Sequence, residues 1–212
     1  MTMTALPSPS PRSYSLAEYL EFEEREPWKH EFHDGQILAM SGSSPEDALI
    51  TANALRAIGN QLAGKPCRVY SSDLKIAVGA NPDVQYPDGS VICGPLEFHR
   101  ADPKHRLVTN PRVIIEVLSP TTEGYDRGEK FMLYRTLPSF EEYVLIAQNK
   151  PLIEVFLRQP DGRFLIDATY TGLEATATIR SLQIQLRLAE VYADVTFAQR
   201  STQIALDEPA SP

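Results

Sequence analysis

Long apolar runs, closely paired cysteines and an excess of positive charge are all missing from this chain. No stretch approaches the roughly 18 consecutive apolar residues of a membrane-spanning helix, and the amino terminus carries no basic segment followed by an apolar one. A cytoplasmic protein with no membrane partner is therefore expected. The two cysteines, Cys67 and Cys93, lack the spacing of a zinc site or a disulfide framework, and each lies in an apolar, strand-like run. They read as small buried hydrophobes. His30, His33, His99 and His105 show no metal-ligand spacing either and read as surface or core side chains. Lys and Arg number 20 against 28 Asp and Glu, and the net charge of −8 opposes nonspecific attraction to nucleic-acid phosphates or an anionic membrane. A bound cation would reverse that potential locally. Lys104, His105, Arg106 and Arg112, or Arg56, Lys65 and Arg68, are the basic sets available to line a groove, although as patterns both read first as solvated surface.

What is present suits one sizeable core: 212 residues, 42% of them hydrophobic. Residues 1–12 and 201–212 are rich in Pro, Ser, Thr and Ala without apolar periodicity and read as tails, leaving one domain over 13–200. Ser15-Leu-Ala-Glu18 has the form of a capping box before a short amphipathic helix that ends ahead of Pro27. His30 to Met40 reads as a hairpin turned by Asp34-Gly35. Ser44-Pro45-Glu46-Asp47 opens a second helix, with a serine cap, proline at the first position and acids at the positive end of the dipole. Its apolar stripe runs through Ala48, Ala52, Leu55, Ile58 and Leu62 and stops at Gly64. Strands are expected over Cys67–Ser71, Leu74–Val78 and Val84–Cys93, then over the dense run Val113–Leu118, which has the look of a strand covered on both faces. A helix over Arg127–Arg135 and strands over Tyr143–Ala147, Ile153–Leu157 and Arg163–Tyr170 complete an α/β pattern.

Glu116 interrupts the most apolar of these runs, where an unpaired carboxylate costs several kcal/mol or more. A buried ion pair or a strand-end position facing water would answer that cost. So would a divalent cation, for which hard oxygen donors on a rigid strand are well suited. Asp88 follows Tyr86-Pro87 and precedes Val91-Ile92-Cys93; Asp88-Gly89 by itself reads as a turn. If the two strands are neighbours, both carboxylates can converge on one cation, which would activate water and stabilise a phosphoryl group.

Tyr86-Pro87-Asp88, Ile115-Glu116-Val117-Leu118-Ser119-Pro120-Thr121-Thr122, Tyr125-Asp126-Arg127-Gly128-Glu129-Lys130 and Tyr134, in that order, resemble the Uma-type restriction endonuclease family of bacteria, within the PD-(D/E)XK nuclease superfamily. Glu31-Phe32-His33-Asp34-Gly35, Ser44-Pro45-Glu46 and Cys67 to Leu74 extend the likeness over nearly the whole presumed domain. The resemblance implies a restriction-endonuclease-like core, a central mixed sheet flanked by helices, with an endonuclease activity on DNA that depends on Mg2+ or Mn2+. Asp88 and Glu116 would be the metal ligands, and Glu31 would match an early acidic residue that joins the site. The superfamily's simplest pattern has lysine two positions after the glutamate; Leu118 stands there, and the resemblance moves the role to Lys130 on the following helix. Asp126, Lys130 and Tyr134 would share a helical face. Two departures are Asp47, where the family commonly has histidine, and Gly89, where an aliphatic residue is usual and where glycine would loosen the strand. A homodimer would suit an enzyme that cuts two strands. A nuclease-fold module without catalysis, or a hydrolase of RNA or small nucleotides, stays open beside this reading.

Overall fold

The computed structural model describes residues 12–40 and 42–197. The expected tails, apart from Arg12, lie outside the described residues, as does Ser41. Helix α1 (Leu16–Glu23) opens on the capping box, with Ser15 and Glu18 bonding reciprocally. It leads into the hairpin β1 (His30–His33) and β2 (Gln36–Ala39), whose Asp34 and Gly35 adopt φ of 44° and 75°. Helix α2 (Pro45–Leu62) is capped by the Ser44 side chain, which accepts from the Asp47 N–H.

The middle of the chain then divides between two sheets. Strands β3 (Cys67–Ser71), β6 (Gly89–Cys93), β8 (Val113–Leu118), β9 (Glu142–Ala147), β10 (Leu152–Arg158) and β11 (Phe164–Thr171) form a mixed six-stranded sheet in the order β11-β10-β9-β8-β6-β3. Strands β4 (Lys75–Val78), β5 (Asp83–Gln85) and β7 (Leu107–Val108) join the hairpin in a five-stranded sheet ordered β2-β1-β5-β4-β7. The single strand expected over Val84–Cys93 is therefore two strands in two sheets. Pro87, which has no N–H to give a ladder, sits in the crossing between them.

Pleating assigns the faces. On β8, Val113, Ile115 and Val117 join a core built with α2, the hairpin β12 (Thr176–Ile179) and β13 (Ile184–Arg187), and the short helix α5 (Leu188–Val191). Ile114 and Leu118 face the opposite core, shared with β4 and with Phe131 and Tyr134 of the helix before β9. A third cluster seats α1 on the far side of the smaller sheet, through Tyr19, Leu20, Phe32 and Val84. The result is a mixed α/β fold of central sheets flanked by helices, in which β8 is apolar on both faces except at Glu116.

Three other expectations are corrected. The helix expected over Arg127–Arg135 begins earlier and is broken: α3 (Glu123–Arg127) and α4 (Glu129–Tyr134) meet at Gly128, whose backbone is non-helical. Elements β12, β13 and α5 went unread, because Thr, Gln and Arg alternate with their few apolar residues and only Ala177, Ile179, Ile184 and Leu186 point inward. Cys67 and Cys93 are not independent hydrophobes but a disulfide, since antiparallel β3 and β6 set them directly opposite each other.

Candidate active site

The antiparallel register of β6 against β8 places Gly89 opposite Ile115, so Asp88, one residue ahead, arrives opposite Glu116. Two crossing hydrogen bonds hold the acids together, one from the Asp88 backbone and one from that of Val117, the neighbour of Glu116. The Asp88 N–H donates to Glu116 Oε2 at 3.1 Å, and the Val117 N–H donates to Asp88 Oδ2 at 2.7 Å. By the pleat, Glu116 points toward α4 and the smaller sheet, where it is only 2% exposed. Glu31 reaches the same place from β1, and its Oε1 accepts from the Tyr86 N–H at 3.1 Å. Turned with its nitrogen toward Glu31, the Gln85 amide donates to both Glu31 oxygens, at 3.1 and 3.2 Å.

Lys130 stands in the middle of this group. Its Nζ lies 3.0 Å from Glu116 Oε1, 3.1 Å from Glu31 Oε1 and 3.7 Å from Asp126 Oδ1, and it donates to the Tyr86 carbonyl at 3.3 Å. The break at Gly128 does not separate Asp126 from Lys130. Tyr134, one turn further on, donates to Glu116 Oε1 at 3.1 Å. The structure thus brings together all four sequence-predicted site residues, Asp88, Glu116, Lys130 and Glu31.

A half-open cavity of about 520 Å³ lies over them. Its walls add two further buried acids, Asp126 and Asp47. The first turn of α2 carries Asp47, and the Ser44 hydroxyl that caps this helix also accepts from Gln148 Nε2 at 2.6 Å, which ties the helix start to the end of β9. Sequence reasoning had Asp47 only as a departure from a family pattern, because an acid in a first helical turn is explained by the dipole alone. Its role as a cavity wall depends on α2 starting beside Asp88 of the β6–β8 pair, which no local pattern reports.

Five carboxylates thus face one ammonium. Burial pushes the Glu116 carboxyl well above its usual range, and repulsion from Asp88 and Asp126 adds to the shift. Burial likewise raises Asp88 and Asp126. Asp47 is pushed up to about 6 by burial, with Asp88 and Asp126 contributing. Burial pulls Lys130 down, but Glu116, Glu31, Asp126 and Asp88 outweigh it and hold the ammonium above its ordinary value. Among the described residues, no three His, Cys, Asp or Glu side chains already surround a common point as in a closed metal cage.

The basic sets considered from the sequence do not line this cavity. Lys104 and Arg106 pair with Glu24, Arg106 also with Asp102, and Arg112 with Glu141. Arg56 donates to Asn53, and Arg68 to the carbonyls of Lys65 and Cys67. No histidine lines it either: His30 meets Glu23, His33 meets Asp83, His99 accepts from the Ala101 N–H, and His105 stacks on Phe98. Gly89 does not leave a loose strand. A Cβ there would stand 2.3 Å from Leu55 Cδ2, so the bare backbone is filled by a side chain from α2.

Two proteins of Synechocystis sp., both described as uncharacterized, are 40% and 33% identical to this chain over 152 residues, 72% of it. The matches cover 78% and 85% of those proteins. A solved structure from Anabaena variabilis, described as a "putative nuclease belonging to DUF820", superposes with a TM-score of 0.66 over 86% of this chain and 98% of its own, at 16% identity. That likeness shows a shared fold. The family model for Uma2, described as "Putative restriction endonuclease", matches residues 16–191, which takes in every element from α1 to α5. The chain therefore belongs to the Uma2 family.

Proposed function

We propose that this protein is a divalent-metal-dependent nuclease hydrolysing DNA phosphodiester bonds, with Asp88 and Glu116 as ligands of Mg2+ or Mn2+, Lys130 beside them and Glu31 assisting. The observation that carries the reading is the Asp88–Glu116 pair, fixed by the Asp88 and Val117 N–H groups at the floor of a cavity lined, among the described residues, by five carboxylates and a single ammonium. Such an excess of buried negative charge is poorly compensated by one lysine. Hard oxygen donors opening onto water fit magnesium, which keeps several waters and is commonly held by one or two carboxylates.

When bound, the cation would supply Lewis acidity toward a phosphoryl oxygen and would acidify water. The chain's own part is positional. The Val117 N–H on β8 holds one oxygen of Asp88, and the Asp88 N–H just ahead of β6 holds one oxygen of Glu116, so both carboxylates are oriented in advance. Lys130, an ammonium, donates and cannot accept; it would orient water or offset charge developing on the phosphate. Glu31 fixes Lys130 from the smaller sheet and offers an acceptor for a water proton. Tyr134 holds Glu116 from the side away from Asp88.

The test is incubation of the full chain with plasmid and with single-stranded DNA in magnesium or manganese, beside Asp88→Ala, Glu116→Ala and Lys130→Ala. Cleavage that needs metal and is lost on substituting either acid is expected. Activity persisting in all three variants removes this site from the reaction. A second reading, a nuclease-fold binding module without catalysis, draws on the Lys130 ammonium already seated between Glu31 and Glu116. Calorimetry separates the two, since a folded sample that takes up neither magnesium nor manganese fits only the module.

A further inference from the structure

Resting on the nuclease reading, we infer that the site takes an unpaired DNA strand, with one phosphate at the acidic floor and the adjoining base against Leu38 and Tyr125. Leu38 is the cross-strand partner of Glu31 in the β1–β2 hairpin, so both side chains leave the same face of that sheet. Glu31 is buried, whereas Leu38 is 42% exposed and lines the cavity. A single exposed leucine is ordinary on a surface. This one forms part of a wall. Met40 continues it on one side, and Pro120 from the β8–α3 connection and Tyr125 from α3 stand on the same cavity. The Tyr125 hydroxyl is held against the Gln85 side chain at 3.2 Å, which fixes its ring. An acidic floor with apolar walls offers one surface for a phosphate and its cation and another for the flat face of a base.

The scarcity of cations at the cavity leaves recognition to other contacts. Among the described residues, Lys130 is the one basic side chain lining the cavity. Affinity for the phosphates of duplex and single strand alike comes from Lys and Arg, and Lys104, Arg106 and Arg112 are already committed to acids. Recognition must then come from base contacts, which stacking within a duplex conceals unless the nucleotide is extruded. A volume of about 520 Å³ is that of a small-ligand pocket.

The test uses one DNA sequence as a single-stranded oligonucleotide, as a blunt duplex, and as a single strand with an abasic position next to the cut. Cleavage in magnesium and anisotropy-detected binding in calcium are measured for the full chain and for Leu38→Ser, whose melting temperature verifies its fold. The single strand should be cut at least about tenfold faster than the duplex, and both the abasic position and Leu38→Ser should weaken binding roughly five- to tenfold. A duplex cut as fast as the single strand, or binding indifferent to the missing base and to Leu38→Ser, overturns the inference. If that duplex cleavage is abolished by Glu116→Gln, the nuclease reading stands and only the substrate class falls. No cleavage of any of the three in magnesium or manganese overturns the nuclease reading and this inference with it.

Discussion

Lys130 carries the local electrostatics at the residue scale. It is 5% exposed and, among the described residues, is the sole cation between Glu31, Glu116 and Asp126, so removing it leaves several buried carboxylates facing one another. Breaking a buried ion pair from one side typically costs about 3–5 kcal/mol. Lys130→Ala should therefore lower the melting temperature by roughly 6–20 °C for a chain of this size. Magnesium should restore more of that loss in the variant than it adds to the parent, because a divalent ion can replace the missing charge. Thermal melts with and without magnesium check both statements, and an unchanged melting temperature contradicts the assignment of Lys130 as the main counter-charge. The individual site residues were legible in the sequence: Glu116 because it breaks an apolar run, Asp88 and Lys130 because motif order named them. Asp47 was not, since its burial comes from where the tertiary structure sets the start of α2.

The contact between α2 and β6 decides how firmly Asp88 is held at the element scale. Gly89 lets Leu55 rest on the strand backbone, with 2.3 Å between Leu55 Cδ2 and the place a Cβ would take. Gly89→Ala should cost about 1–3 kcal/mol by overpacking. Combined with Leu55→Ala, it should cost less than the two single changes added together, which a denaturant-melt double-mutant cycle measures. Strict additivity would mean that the two groups do not meet. Helices α1 and α2 and the β1–β2 hairpin could be read from caps, apolar period and Asp34-Gly35, all of which act over a few residues. The division of Val84–Cys93 into two sheets and the Cys67–Cys93 pairing could not. Pairing register joins residues 26 apart in sequence, and neither spacing nor composition encodes it.

The loop ahead of β7 shows how the whole molecule spends its few basic residues. Asp102, 1% exposed, accepts from the Leu107 N–H at 3.0 Å, from the Arg106 N–H, and from Arg106 Nη2 at 2.7 Å. Burial alone would raise its carboxyl, but the Arg106 side chain, the backbone N–H groups and the Arg106 charge hold it below the ordinary value. A carboxylate depressed in the folded state contributes stability that is present above the unfolded value of about 3.9 and is lost as the pH falls through the folded one. Asp102→Asn should thus cost about 2–4 kcal/mol at pH 7. The gap between variant and parent should close as the pH drops below about 4. Urea melts across pH 3 to 7 measure it, and a gap that widens in acid would refute the assignment.

The sequence by itself determined where α1, α2 and the β1–β2 hairpin begin, because caps, turn residues and apolar period act locally. It also determined that an isolated carboxylate within a buried strand would need compensation. Only the tertiary structure decided what compensates it. Bringing Asp88 opposite Glu116 is a matter of strand register, and bringing Glu31, Asp47 and Lys130 around them takes a second sheet and two helices that meet through long-range packing, where the energy lies in contacts between residues far apart along the chain.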